Sequence, residues 1–276
     1  MDYFEKLLPK DLRSYISILC AMIKKDLFLL KQKTADIIIN SAIILTMELI
    51  VWCYLYPLLG MPQELVLPMF VGWPLISIMI NLGFCFSMKY TLGALYTGYG
   101  FMEFDLTLPL PTSYVLAKYI ISFVIEACIA TLPLILIGIT IIQYLYPTVI
   151  IAGLLPFCLL YIMNLSLIAI VFLALSFWYP NQWFENNVWP RRIGPIITFG
   201  AVFAPWHQVY VFSKPIGILM LLNPLTYVTE AMRSVLLKGN GIYISLWFCI
   251  PILILLFLVS TLWMSKSVRS KLDLLS

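Results

Sequence analysis

Few residues in this chain have the type and spacing to do chemistry, and most of those are acidic. Glu48 and Glu126 fall inside long apolar runs. An ionised carboxylate is costly in hydrocarbon, so each points to a function with a partner of its own. Paired groups of this kind are what a proton-coupled carrier uses. Glu48 lies mid-run and is the candidate for lining a cavity or gate. Glu126 lies a turn or two from the end of its run, near enough to water to be structural. Glu103 and Asp105 sit in the stretch Gly98–Thr112, GYGFMEFDLTLPLPT, among Tyr99, Phe101, Met102 and Phe104. Apolar anchors beside carboxylates suit docking on a basic groove of another protein. Glu230 and Arg233, three residues apart, are placed to pair on one face of a helix. The single histidine, His207, excludes a multi-histidine metal site, and the six cysteines show no paired spacing, so they read as small apolar packing residues. No GxxxxGK[ST], GxSxG or HExxH pattern occurs. The chain is therefore read as no enzyme, and uphill transport would draw on a gradient or on a partner.

The elements that hold these residues are set by composition. The chain has 276 residues, 62% hydrophobic and 11% charged. Soluble domains carry about 45–50% apolar and about 25% charged residues, so this pattern is that of an all-α polytopic membrane protein. No cleavable signal peptide is read at the N-terminus, which is charged and amphipathic. Residues 1–34 carry Phe4, Leu8, Leu12, Tyr15, Ile16, Leu19, Met22 and Ile23 at helical spacing between basic residues, the pattern of an amphipathic helix lying at the lipid surface. A membrane domain follows over 35–268. A span needs about 20 predominantly apolar residues, which gives six: Ile37–Leu59, Leu65–Met88, Tyr119–Leu145, Val149–Trp178, Ile193–Phe212 and Ile242–Met264. Between the second and third lies a loop over 89–118. Residues 213–240 are long enough to span, but Asn223-Pro224 breaks them and Glu230 and Arg233 burden their second half. Two short helices that dip into the outer leaflet and return are expected there, and a cytoplasmic tail over 269–276.

Basic residues fix the orientation. With the N-terminus inside, only Lys214, Arg233 and Lys238 of the 17 lysines and arginines fall outside. The positive-inside rule then puts both termini and Gly98–Thr112 in the cytoplasm. Aromatic residues flank the turn between the fourth and fifth spans (Trp178 to Trp189) and the outer end of the fifth (Phe203, Trp206, Tyr210, Phe212). Belt anchoring accounts for most of them. Phe203, Trp206 and Tyr210 are also candidates for a gate or a stacking surface, with His207 among them as an interfacial polar residue.

Two motifs resemble those of the membrane subunit of bacterial ABC-2 type transporters. The first is Glu103-Phe104-Asp105-Leu106-Thr107-Leu108-Pro109-Leu110-Pro111-Thr112, followed by Lys118 at the mouth of the third span. The second is Leu222-Asn223-Pro224-Leu225-Thr226-Tyr227, followed by Glu230, Ala231, Arg233 and Gly239. The amphipathic start, six spans and chain length fit the same family. The turn Tyr179–Arg192 departs from it in being rich in aromatic residues and asparagine. The resemblance implies the fold of that family, with a cytoplasmic coupling helix at Tyr99–Asp105 and a re-entrant hairpin at Asn223, Pro224, Glu230 and Arg233. It implies a half-transporter in the bacterial inner membrane. Two copies would pair around a pathway for a lipid-like, amphiphilic or glycan substrate, and two separate nucleotide-binding subunits would hold ATP and magnesium. The chain itself would carry no cofactor and bind no nucleic acid. The competing expectation is a gradient-driven carrier using Glu48 and Glu126.

Overall fold

The computed structural model describes residues 12–31, 38–39, 42–43, 46–47, 50–55, 58–60, 105–106, 108, 110–145, 153–178, 191, 193–237 and 241–272. Among them all regular structure is helical. In chain order it comprises α1 (Leu12–Lys31), a π-helical segment (Ile50–Leu55), α2 (Thr112–Leu145), α3 (Leu154–Trp178), α4 (Gly194–Thr198), α5 (Trp206–Phe212), α6 (Lys214–Leu221), α7 (Pro224–Leu236) and α8 (Leu246–Leu272). Three of these, α2, α3 and α8, are long and apolar enough to cross a membrane, which marks a membrane protein.

The core follows from helical spacing. On α2 every fourth residue from Val115 to Ile139 (Val115, Tyr119, Phe123, Ala127, Thr131, Ile135, Ile139) is buried. On α3 Phe157, Tyr161, Leu165, Ala169 and Leu173 repeat the same step. Such rows are ridges of side chains stacked one turn apart, which neighbouring helices pack between. Helix α3 packs against α2, α7 and α8, and α1 lies along α2. Inside lipid, packing and hydrogen bonds hold helices together more than apolar burial does. Accordingly α2 and α3 share a buried polar contact, Tyr161 to Thr131 at 2.6 Å, and Thr131 donates to the Ala127 carbonyl at 2.6 Å. Because the threonine proton is committed to that carbonyl, Tyr161 is the donor between the two side chains.

The expected third, fourth and last spans are present as α2, α3 and α8. Helix α8 runs to Leu272, into the stretch expected to be a tail from 269. Its last turns are polar, and Ser265, Ser267 and Ser270 turn their hydroxyls back onto the carbonyls of Thr261, Trp263 and Ser267. The expected first span is described only in part, and Leu65–Met88 lies outside the described residues, as does Glu48.

The expected fifth span, Ile193–Phe212, differs most. It is not one helix but α4 and α5, separated by 199–205. Pro205 has no N–H to give to the preceding turn and biases Ala204 away from helix. Ala201 takes a left-handed φ of 52°, a conformation that costs a non-glycine residue about 1–2 kcal/mol. The two short helices expected over 213–240 are found as α6 and α7, meeting at Asn223. Helix α5 pairs with α6 across the single extended residue Ser213.

Candidate functional site

Helix α7 begins with a built cap. The Asn223 Oδ1 accepts from the Leu225 N–H at 3.0 Å, and Pro224 occupies the first helical position, where its missing N–H is no loss. From there a polar stripe runs along one face: Asn223, Thr226, Thr229 and Arg233, at steps of three, three and four. All four are buried, Thr226, Thr229 and Arg233 with no exposure.

This stripe takes up backbone carbonyls that the broken fifth segment leaves without helical partners. Asn223 Nδ2 donates to the Ile196 carbonyl at 2.6 Å. Thr229 lies nearest the Gly200 carbonyl, at 3.0 Å. Arg233 donates to the carbonyl of Ala201, and at 2.8 Å to that of Val202. Thr226 stands 3.3 Å from the Phe199 carbonyl but 2.6 Å from that of Met220. A hydroxyl has one proton, so Thr226 closes the end of α6, joined by Tyr227 on the Leu221 carbonyl at 2.8 Å. A helix end leaves its last four carbonyls without intrahelical donors. Here α7 supplies donors for two such ends, those of α4 and α6.

Glu230 completes the arrangement. One of its oxygens accepts from Arg233 at 3.0 Å and from the Trp206 N–H at 3.1 Å; the other accepts from the Ile244 N–H at 3.3 Å. Trp206 opens α5 and Ile244 leads into α8, so one carboxylate ties two helix starts to α7. Negative charge at a helix N-terminus is itself favourable. Neither Glu230 nor Arg233 is exposed at all. Burial pulls the Arg233 guanidinium below its ordinary value, and the Glu230 carboxylate holds it up. Burial raises the Tyr243 phenol, with Arg233 pulling the other way. An isolated buried charge would cost several kcal/mol, and the pairing with full hydrogen bonding is what makes these two tolerable.

Around this hub lie the aromatic candidates. The Trp206 and Tyr210 rings lie 5.2 Å apart between centres, tilted by 30°, and the Trp206 indole N–H donates to the Gly217 carbonyl at 2.8 Å. Both donors of Trp206 are thus engaged within the fold, and Phe203 packs at the edge of the core. Asn164, midway along α3, donates to the Met232 sulfur of α7 at 3.3 Å, while its Oδ1, buried, meets no donor among the described residues.

The second locus is Asp105. Its carboxylate accepts from Lys118 Nζ at 2.8 Å and from the Tyr119 hydroxyl at 2.5 Å, and both Asp105 and Lys118 are buried. Lys118 also lies 4.3 Å from the centre of the Tyr119 ring. Within the chain, the Asp105 charge is engaged by Lys118 and Tyr119. It fastens the stretch to the second and third turns of α2. Tyr99, Phe101, Met102, Glu103 and Phe104 lie outside the described residues. Glu126 is half-buried on α2. Among the described residues no group of three or more His, Cys, Asp or Glu is placed to hold a metal ion.

The Glu230–Arg233 pair was legible from spacing. Thr226 was read only as part of a motif and Thr229 not at all, although polar residues at helical steps within an apolar run were the signal. The partner of Asp105, thirteen residues on, left no periodic trace. No protein-family model, curated protein or solved structure matches this chain.

Proposed function

We propose that this chain is the membrane subunit of an ABC-2 type exporter. In this reading two copies form a pathway for an amphiphilic substrate, lipid-like or glycan, and two separate ATPase subunits drive it from the cytoplasmic side of a bacterial inner membrane. The observation that carries the reading is the attachment of Asp105 to α2. A segment that receives force from a partner must pass it to a span without absorbing it. Here the acidic stretch is joined to α2 by a buried ion pair and a short hydrogen bond, and Leu106 and Leu110 pack against the core. Pro109 and Pro111 stiffen the few residues between. Tyr99, Phe101, Met102, Glu103 and Phe104, just before this attachment, would then be the surface that meets the ATPase.

The test is the double variant Phe101→Ala/Glu103→Ala, purified with its ATPase subunits and reconstituted in vesicles. Transport should fall at least about tenfold, as expected when an interface anchor worth more than about 1.4 kcal/mol is lost, while ATP hydrolysis continues. Normal transport by the double variant would overturn the reading. Uphill flux by this chain alone under a proton gradient, abolished in Glu48→Gln or Glu126→Gln, would support the gradient-driven carrier in its place.

A further inference from the structure

The stretch 193–212 is a span in composition and length, yet it is folded as two short helices with a break between them. Four observations bear on why. The break contains only apolar residues and a glycine before Pro205: Phe199, Gly200, Ala201, Val202, Phe203 and Ala204. Its backbone is strained, with Ala201 at a φ of 52°. The carbonyls of Gly200, Ala201 and Val202 in the break, and that of Ile196 just before it, are taken up by side chains of α7. And Gly200 makes room for α7: a Cβ there would stand 2.6 Å from Leu225 Cδ2, 2.8 Å from Leu225 Cβ and 2.8 Å from the Ile196 carbonyl oxygen.

Together these describe a helix-competent segment held open by a neighbour. We infer that 193–212 has two states: the broken one seen here, braced by Asn223, Thr229, Glu230 and Arg233, and a continuous helix formed when α7 withdraws. In the braced state α7 supplies donors for the carbonyls of Ile196, Gly200, Ala201 and Val202. Without α7 those carbonyls would be stranded in an apolar setting; the amides of Gly200, Ala204 and Trp206, one turn further along the same segment, are in register for Ile196, Gly200 and Val202, and only the Ala201 carbonyl, opposite Pro205, finds no amide there. Closing the helix joins α4 to α5, relieves Ala201 and leaves Pro205 as an ordinary proline kink, which spans accommodate. Trp206 would leave Glu230 in the same motion, so the carboxylate and the guanidinium release the break and the start of α5 together. The α7 seat on α3 is itself imperfect, since the Asn164 Oδ1 finds no donor among the described residues. This inference does not rest on the transport reading, and its test reads conformation directly.

Spin labels at Ile196→Cys and Val211→Cys, both exposed positions, in a background with the six native cysteines replaced by alanine, report the segment in lipid nanodiscs. A continuous helix fixes the two backbone positions about 22 Å apart, at 1.5 Å per residue. Two changes shift the balance by unrelated means. Arg233→Met removes the brace. Gly200→Ala/Pro205→Ala leaves every brace residue in place but crowds Leu225 and removes the helix breaker. Each should enlarge a narrow population near the helical separation and slow amide hydrogen exchange across 201–204 by at least about tenfold, as a formed helix protects its amides. Should Arg233→Met fail to fold, the Gly200→Ala/Pro205→Ala variant decides alone. A folded variant of the second kind with the parent's label separation and exchange would show that the break is intrinsic, and would overturn the two-state proposal.

Discussion

A guanidinium and a carboxylate with no exposure, three residues apart on a thirteen-residue helix, are the costliest groups in the described structure. Their value lies in what they join: the break after α4, the start of α5 and the approach to α8. Removing one partner alone leaves a buried charge without compensation, which costs about 3–5 kcal/mol. Arg233→Met should therefore lower the melting temperature far more than Glu230→Leu/Arg233→Met, which leaves no charge behind. A thermal unfolding cycle over the two singles and the double measures this, and additive losses would show that the two side chains act separately. Tyr243 provides a pH test. Its folded value is raised by burial, so the folded state holds the phenol proton more tightly than the unfolded chain does. The stability this adds is complete below the ordinary tyrosine value and is lost as pH rises through the raised one. Melting temperature should thus fall as pH is taken above about 10, and Tyr243→Phe should flatten that fall.

The helices divide by what determines them. Continuous apolar runs over Tyr119–Leu145 and Val149–Trp178 were readable as spans because their apolar length outweighs the prolines in them: Pro133 lies inside α2, as spans tolerate, and Pro156 falls in the first turn of α3. The hairpin of α6 and α7 was readable from Asn223-Pro224, a cap and an N1 proline in sequence. The break in 193–212 was not, since hydropathy cannot register donors that arrive from residues 223 to 233. The α5–α6 pairing rests on contact of equal specificity. A Cβ at Gly217 would meet the Tyr210 Cα at 2.7 Å, and the Gly217 carbonyl holds the Trp206 indole. Gly217→Ala should push the two helices apart and cost about 1–3 kcal/mol, the usual penalty of overpacking. The change should also quench less of the Trp206 fluorescence through Tyr210 and the backbone. An unaltered melting temperature would mean that α5 and α6 separate without penalty. The attachment of Asp105 makes a matching prediction for α2. Asp105→Asn leaves Lys118 buried beside a neutral amide, and the loosened stretch should become cleavable by protease near 105–111, where the parent resists.

Seen whole, the chain distributes its charges unevenly, and the folded helices show where that unevenness must be anchored. Lys24 and Lys25 are exposed on α1, which lies along α2; Arg269 is exposed near the end of α8; Lys214 is exposed at the α5–α6 corner, between Phe212 and Ile216. Along α8, Trp247, Phe248, Leu255, Leu258 and Leu262 are all more than half exposed, a surface that only lipid or another apolar chain would cover. If positive charge sets the orientation, Lys24, Lys25 and Arg269 share one side of the membrane and Lys214 takes the other. Single cysteines at Lys25, Arg269 and Lys214, introduced without the native cysteines, test this in intact cells. A thiol reagent that cannot cross the membrane should label the Lys214 position at once and reach the other two only after the cells are opened. The same experiment constrains the first two expected spans. An even number of crossings between α1 and α2 keeps Lys25 and the start of α2 on one side. Labelling of the Lys25 position from outside, with Lys214 also labelled, would demand an odd number, and would put α1 on the opposite side of the membrane from the Asp105 attachment.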